Sequence, residues 1–294
     1  MQLVLITGAA GGLGRQLALH WAREGAVIAL WDVRAAALDA VCDWLSKENG
    51  VPAASLHPRC VDVADPRAVS RAAESQLRAL GPVRVLINNA AIVHGHHLLA
   101  ATDADLQRAI EVNILGHFWT VRAFMPQLLS HSEGGSVVTI SSLMASVPCA
   151  GLADYCASKA AVCQLHECLR CEIRLRAASP RVHCLLVLPY LLDTPLFAGG
   201  EPMRWQWLQW LFPAIKPARV ARRVVRAVRN HEEMLVLPWV FTWVPALLML
   251  LPLWLRDALL GLLTSQAAMK NFRGRGRAEW DLMRPASAHR CAPD

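Results

Sequence analysis

Leu3-Val4-Leu5-Ile6-Thr7-Gly8-Ala9-Ala10-Gly11-Gly12-Leu13-Gly14 stands almost at the start of a 294-residue chain. Its first five residues are an apolar run ending in a polar one, the pattern of a parallel strand buried on both faces. Glycines crowd the next seven positions, and a helical pattern runs from Arg15 to Glu24. Glycines at a strand-to-helix turn let backbone N–H groups approach a pyrophosphate at the helix N-terminus. The spacing from Gly8 is GxxxGxG rather than the better-known GxGxxG. A glycine-rich loop alone also reads as plain turn chemistry. Its place between a strand and a helix makes it a dinucleotide signal.

Working outward, a second apolar run from Ala26 to Trp31 ends at Asp32. This acidic residue lies near the distance expected of a group that binds the ribose hydroxyls of an adenosine half. Aspartate is also a common helix N-cap, and both roles can hold together. Further along come Val61-Asp62-Val63, then Val83 to Ile87 followed by Asn88-Asn89-Ala90-Ala91. The periodicity predicts strands at 3–7, 26–31, 56–61, 83–87, 136–140, 182–187 and 233–237. It predicts helices near 12–24, 34–47, 66–80, 103–130, 154–178 and 216–230. Such alternation gives an α/β fold, a doubly wound parallel sheet with helices on both faces.

The chemistry concentrates at Asp154-Tyr155-Cys156-Ala157-Ser158-Lys159, with Ser142 thirteen residues before the tyrosine. A tyrosine and a lysine four apart share one helix face. The Lys159 ammonium is expected to lower the Tyr155 phenol from its ordinary pKa near 10. The phenol then exchanges a proton near neutral pH, and Ser142 can hold an alcohol or ketone oxygen beside it.

In this order the motifs resemble a classical short-chain dehydrogenase/reductase over roughly residues 1 to 237. Thr7 to Gly14 matches the family's TGxxxGxG, and Asn88 to Ala91 its NNAG with alanine last. Pro189-Tyr190-Leu191-Leu192-Asp193-Thr194 resembles its PGxxxT, with tyrosine in the glycine's place. The resemblance implies a catalytic set of Asn113, Ser142, Tyr155 and Lys159, with Asn113 holding a water that relays the proton. It implies a nicotinamide dinucleotide held by Gly8, Gly12, Leu13, Gly14, Asp32, Asp62, Val63, Asn89, Ala90, Tyr155, Lys159 and Thr194. NAD is expected before NADP, because Asp32 repels a 2′-phosphate. Asn88 to Gly95, Lys216 to Arg223, Leu237-Pro238-Trp239 and Met269 to Arg275 are similar to membrane-bound retinol dehydrogenases. Lipid-droplet 17-beta-hydroxysteroid dehydrogenases lie near the same group. The implied substrate is a lipophilic alcohol or ketone, retinol/retinal first and a hydroxysteroid second.

Composition agrees. The apolar fraction, 54%, is high for a soluble domain, and much of it follows residue 200. Residues 1–237 read as the catalytic domain, with a tryptophan-rich lid at about 190–213. Residues 238–272 read as an apolar membrane-associating extension, and 273–294 as a basic tail without fixed structure. Trp239 to Leu255 carries Pro245 and Pro252. Those prolines disfavour one straight spanning helix and favour a bent segment in one leaflet. The same segment could instead cover a second copy in a homo-oligomer. Neither a signal peptide nor an N-terminal anchor is expected, since the first strand starts at Leu3.

A net charge of +7 comes without the aromatic-interleaved platform of a nucleic-acid binder, so no nucleic-acid partner is expected. Arg219, Arg222, Arg223, Arg226 and Arg229 recur at helical spacing, as a solvated face or one turned toward anionic headgroups. Nine cysteines without framework spacing point to reduced thiols. The Cys168/Cys171 pair and the cluster His94, His96 and His97 lack the further ligands a metal site needs. The expected setting is an endoplasmic-reticulum or lipid-droplet membrane, with the catalytic domain in the cytosol. Two other classes stay open: a non-catalytic nucleotide-binding lipid-surface protein, and a soluble enzyme for small polar alcohols.

Overall fold

The computed structural model describes residues 2–131, 134–175, 182–197, 210 and 212–263. Seven strands form one parallel sheet: β1 (Leu3–Thr7), β2 (Val27–Asp32), β3 (Leu56–Cys60), β4 (Val85–Asn88), β5 (Ser136–Ile140), β6 (His183–Pro189) and β7 (Met234–Leu237). Their order is β3-β2-β1-β4-β5-β6-β7. The order reverses between β1 and β4, and a crevice at such a switch point is where ligands of open α/β sheets bind.

Strand alternation divides the core in two. Val4, Ile6, Ile28, Leu30, Val138 and Val187 point to one face. Leu3, Leu5, Ala29, Trp31, Leu86 and Val137 point to the other. Successive side chains of a strand face opposite ways, so a strand covered on both sides must be apolar throughout. The first face is covered by α1 (Gly12–Arg23), α2 (Ala35–Asp43) and α7 (Pro217–Arg229). The second is covered by α3 (Pro66–Leu80), α5 (Gly116–Ser130) and α6 (Ala153–Leu175).

Helix α7 shows how one sequence makes two faces. Val220, Ala221, Val224, Val225, Ala227 and Val228 are buried. At about 1.5–3 kcal/mol for each large aliphatic side chain, this stripe fixes the helix on the sheet. Arg219, Arg222, Arg226 and Arg229 remain exposed. Arg223 pairs with Glu232 at 2.7 Å, and Arg229 pairs with Glu24.

Two features depart from the sequence reading, and a third, the bend in the apolar extension, agrees with it. The helix expected over 103–130 is two helices, α4 (Asp103–Ile110) and α5, joined by a π-helical turn at Glu111–Leu115 that carries Asn113. A second π turn, Trp44–Glu48, ends α2. The apolar extension is bent: a 3₁₀ turn at Trp239–Trp243 leads into α8 (Val244–Leu250), and Leu251-Pro252 separates it from α9 (Leu253–Leu263). Proline removes a backbone donor and clashes with the preceding turn, so the break at Pro252 follows from the sequence. Among the described residues no helix is long and apolar enough to cross a membrane. The extension is also anchored, since Phe241 stacks on Tyr190 and Phe212 at 5.3 and 5.1 Å between ring centres. Lid residues 198–209 and 211, with Trp205 and Trp207, and the tail from 264 lie outside the described residues.

Candidate active site

The crevice at the switch point is built from glycines and from hydrogen bonds that close it. Gly8 has φ +63, and a Cβ there would sit 2.8 Å from Ala90 Cα. A Cβ on Gly14 would sit 2.2 Å from Gly8 O, and one on Gly12 2.8 Å from Thr194 Cγ2. Only glycine lets β1, β4 and the loop after β6 approach this closely. The Thr7 hydroxyl accepts from Asn89 N at 3.0 Å and Ala90 N at 3.1 Å. Asn89 Nδ2 returns bonds to Thr7 O and Gly8 O at 2.9 and 3.1 Å. The first N–H groups of α1 have no intrahelical acceptor and face this crevice as anion-binding donors. Leu13, by contrast, is buried in the core beneath α1, so only its backbone is placed to meet a ligand.

Asp32 ends β2 and is buried. Its Oδ2 accepts from Ala10 N at 3.0 Å, and its Oδ1 accepts from Arg34 N and Nε at 3.1 and 3.2 Å. Arg34, not Asp32, holds the N-cap position of α2, so the capping alternative does not apply. Asp62 accepts from Ala64 N at 3.0 Å and is clamped by Arg108 Nη2 at 3.0 and 2.8 Å. Val63 packs with Ile92, Val112 and Ala90, and a Cβ on Gly116 would sit 3.0 Å from it.

Tyr155, Lys159, Ser142 and Asn113 converge behind the crevice, exposed by 4%, 2%, 6% and 0%. Ser142 follows β5 as the N-cap of a 3₁₀ turn, its Oγ accepting from Met144 N at 3.1 Å. Lys159 Nζ donates to Ile140 O at 2.9 Å and lies 5.6 Å from the centre of the Tyr155 ring. The Asn113 amide accepts from Ile92 N at 2.8 Å and donates to Ile92 O and Ser158 Oγ at 2.9 and 3.0 Å. Ser158 Oγ donates to Tyr155 O at 2.8 Å. Both amide protons of Asn113 are thus committed to protein groups that tie the π turn to the helix of Tyr155. π turns inside α-helices are rare and recur at functional sites.

The electrostatics revise one expectation. Burial pushes the Tyr155 phenol above its ordinary range, and the Ser142 hydroxyl pulls it back. Burial, the largest cause, outweighs the lowering expected from Lys159, whose Nζ donates to Ile140 O. Burial also lowers Lys159 to about 8. A protonated phenol next to a serine hydroxyl, backed by an ammonium, can pass a proton to a carbonyl oxygen. The reverse transfer needs the phenol deprotonated first. Around them Val93 and Leu152 pack against Tyr155, with Met144, Cys149, Cys156, Leu196 and Phe197 behind. Phe197 meets the tyrosine edge at 5.5 Å.

A glycine cradle at the switch point, feeding a buried Ser/Tyr/Lys centre, is the geometry of a dinucleotide oxidoreductase. The family model for short chain dehydrogenases matches residues 2–204. The chain belongs to this family. It is similar to retinol dehydrogenase 10 of Homo sapiens, 33% identical over 258 residues, covering 81% of this chain and 74% of that protein. It is similar also to short-chain dehydrogenase/reductase 3 of Homo sapiens, 34% identical over 273 residues, covering 92% and 86%. Among solved structures it resembles a short chain dehydrogenase/reductase from Burkholderia phymatum in complex with NAD. The TM-score is 0.72 at 26% identity, covering 84% of this chain and 92% of that one. This short-chain dehydrogenase/reductase is therefore an oxidoreductase that uses a nicotinamide dinucleotide. The residues present fit that group, since a Cβ on Gly8, Gly12 or Gly14 would fill the crevice that admits it.

Several contributors escape a sequence reading. Ser158 and Ser141 are ordinary helix and strand-end residues by type. Yet Ser158 links Asn113 to Tyr155, and Ser141 Oγ donates to Lys159 O at 2.9 Å. Arg108, which fixes Asp62, is 46 residues away from it. Neither residue type nor spacing shows which partner each finds across the fold. His94 lies 3.1 Å from Asp154 and 3.8 Å from Asp105. Among the described residues no group of three or more His, Cys, Asp or Glu is placed to hold a metal.

Proposed function

We propose that this enzyme is a membrane-associated dehydrogenase/reductase of lipophilic alcohols and ketones that prefers NAD. All-trans-retinol/retinal is its first substrate and a 17-beta-type hydroxysteroid the alternative. The observation that carries this reading is the wall around Tyr155, where Val93, Leu152, Met144 and Phe197 enclose the hydroxyl pair in apolar surface. Apolar pockets with a few convergent polar groups select hydrophobic ligands oriented by one polar end. The similarity to retinol dehydrogenase 10 supports the same substrate class.

NAD supplies the hydride acceptor or donor when bound. The chain's residues do the rest. Ser142 Oγ positions the substrate oxygen, and Tyr155 Oη gives or takes its proton. Lys159 would hold the nicotinamide ribose. Asn113 keeps the Tyr155 helix in register through Ser158. Gly8, Gly12, Gly14, the Leu13 backbone and Thr194 would hold the pyrophosphate end of the cofactor. Asp32 would take the adenosine ribose hydroxyls, and Asp62, Val63, Asn89 and Ala90 would hold the rest of the adenosine half.

The surface supports a membrane setting. Trp239, Trp243, Leu247, Met249, Leu250 and Trp254 are all exposed. Tryptophans favour the headgroup boundary, and α7 offers cations to an anionic leaflet at about 1 kcal/mol each. Residues 1–237 form the catalytic unit and 238–272 the attachment. An endoplasmic-reticulum or lipid-droplet surface, with catalysis on the cytosolic side, fits this arrangement. The same exposed residues would also suit a homo-oligomer interface.

The test is turnover by the full chain in vesicles, with NAD, NADP and a panel of retinol, hydroxysteroids and small polar alcohols. NAD-dependent turnover of retinol or a hydroxysteroid in preference to the polar alcohols is the expected result. A protein that binds NAD and turns over none of them would instead be a non-catalytic lipid-surface protein.

A further inference from the structure

Outside the Ser/Tyr/Lys centre, a second cluster of ionisable side chains lies beside Tyr155. His94 Nδ1 is 3.1 Å from Asp154 Oδ2, and His94 Nε2 is 3.8 Å from Asp105 Oδ1. We infer that His94 is a positioning residue for the proton transfer. By bridging Asp154 and Asp105 it fixes the head of α6, and so the Tyr155 phenol, against the loop that follows β4. The inference rests on the proposed role of Tyr155 and on no particular substrate.

Place is the first argument. Asp154 is the second residue of α6 and Tyr155 the third. Val93, next to His94, is fully buried and packs with Leu152 and Tyr155. The loop that carries both is tied down at earlier points. Asn89 N and Ala90 N donate to the Thr7 hydroxyl, and Ile92 N donates to Asn113 Oδ1. His94 then joins this loop to the first turn of α6.

Charge is the second. One carboxylate stands at each ring nitrogen. An imidazolium serves both, while a neutral ring with its proton on Nδ1 serves Asp154. The side chains of His94, Asp154 and Asp105 are exposed by 9%, 8% and 22%, so water replaces this contact less readily than a surface pair. Asp154 also lies in the first turn of α6, where the helix dipole already favours a negative charge. Shielded pairs contribute little net stability, and their better-attested use is to fix register.

Connection is the third. Asp105 lies one turn before Arg108 in α4, and Arg108 clamps Asp62 at 3.0 and 2.8 Å. Helix α4 runs on into the π turn of Asn113. Asn113 donates to Ser158 Oγ, which donates to Tyr155 O. The first and second turns of α6 are therefore both held from α4 and its π turn, one through His94 and the other through Asn113. Misplacing a reacting group by about 1 Å can cost about 10²-fold in rate.

Two measurements on the full chain in phosphatidylcholine vesicles test the assignment. The first is turnover of retinol and of prenyl alcohol, a short allylic alcohol, with NAD and with NADP. Each rate is divided by the nucleotide sites counted by titration. His94→Leu removes both ring nitrogens. It should lower kcat per site for both alcohols by one common factor, about tenfold to a hundredfold, and change KM for the nucleotide by less than about threefold. His94→Asn, whose amide N–H can stand where Nδ1 stands, should recover to within about threefold of wild type. Asp154→Ala should match His94→Leu, and the double variant should be no worse than either, because each removes the same contact. A loss of folded protein would instead lower the number of nucleotide sites and leave kcat per site unchanged.

The second measurement uses the two tyrosines of the chain, Tyr155 and Tyr190. Protein made with 3-fluorotyrosine gives two fluorine resonances, assigned with Tyr155→Phe and Tyr190→Phe. His94→Leu should displace the Tyr155 resonance and leave that of Tyr190 in place, and His94→Asn should displace neither. An unmoved Tyr155 resonance in His94→Leu overturns the assignment, as does kcat per site within about twofold of wild type. So does a loss confined to KM for the nucleotide, which would make the contact part of nucleotide binding. If the wild type turns over neither alcohol, the substrate reading fails and the fluorine spectrum decides the place of His94. If Tyr155→Phe is inactive while His94→Leu is normal, the His94 assignment fails and the mechanism stands. Should His94→Leu misfold, Asp154→Ala carries both measurements.

Discussion

Around Tyr155 the polar groups are inside; between Trp239 and Leu263 the apolar ones are outside. The first region buries Asn113, Ser142, Ser158 and Lys159, and hydrogen bonds to backbone or to each other offset much of their desolvation. The second leaves Met249 and Leu250 exposed by 84% and 81%, beyond what a free aqueous surface ordinarily tolerates as one contiguous patch. Each region violates the ordinary burial rule, and the two violations have different remedies. The buried polar groups are satisfied by the chain itself. On the proposed reading, the exposed apolar groups would be covered by a lipid surface or a second copy.

The largest expected effect falls on the first region. Tyr155→Phe removes one hydroxyl and keeps the ring that packs on Val93, Leu152 and Phe197. Turnover should fall by about 10²–10⁴-fold, the scale of general acid–base contributions. Unfolding temperature and nucleotide binding should barely move. Near-normal turnover in a folded Tyr155→Phe protein would end the proposed mechanism. Since the phenol is raised and Lys159 lies near 8, carbonyl reduction should be flat below about pH 7 and fall as pH rises through 8. Above that value the ammonium is lost first.

The second region responds to a change in its tryptophans. Trp239, Trp243 and Trp254 replaced together by serine keep the backbone and Phe241, which docks on Tyr190. If each tryptophan contributes about 1 kcal/mol at a headgroup boundary, vesicle affinity should drop about a hundredfold. Turnover of prenyl alcohol should persist. Unchanged flotation together with a change from dimer to monomer on sizing would assign the apolar surface to a subunit interface.

These two regions were also unequally legible. The strands at 3–7 and 136–140 match the sequence reading, because strands covered on both faces are unbroken apolar runs with sharp ends. The motif residues converge as their order implied. What escaped depends on tertiary packing. The π turn at Glu111–Leu115 has helical composition, and only the contact of Asn113 with Ile92 shows why it widens there. The direction of the Tyr155 shift escaped because a YxxxK spacing says nothing about how deeply the phenol is buried. A sequence reading sees in Tyr190 only a replacement for a motif glycine. It is instead a docking point, its N–H bonded to Leu237 O at 2.7 Å and its ring against Phe241.

Acid should attack the buried half before the exposed one. His117 and His166 are buried, and burial lowers them to about 3 and about 4 from an ordinary 6.5. Between 6.5 and those values the unfolded chain binds protons that the native state refuses, so stability falls as pH falls through that window. At pH 5 the loss is about 2 kcal/mol per histidine. Chemical denaturation at pH 7 and pH 5 measures it. His117→Gln, if it folds, should remove the His117 share of the pH dependence, about 2 kcal/mol, and an unchanged slope would exclude His117 as a source.

The smallest effect concerns the far end of the crevice, where Asp32 and Arg34 share one ion pair at 3.2 Å. The Asp32 carboxylate already accepts from Ala10 N on one oxygen, so it is held rigid at the position where ribose hydroxyls would donate. A 2′-phosphate there meets a buried anion, and only Arg34 could compensate by leaving Asp32. Breaking that pair exposes a buried carboxylate, a cost that NADP binding must meet and NAD binding does not. NAD should therefore show the higher kcat/KM, and Asp32→Ala should shift the ratio toward NADP by about tenfold, or about 1.4 kcal/mol. Arg34→Ala separates the two contributions. If Asp32 sets the choice, removing Arg34 leaves NAD preferred and weakens NADP further. If the wild type prefers NADP and Arg34→Ala abolishes that preference, Arg34 swings to the phosphate and the pair seen here is its resting position.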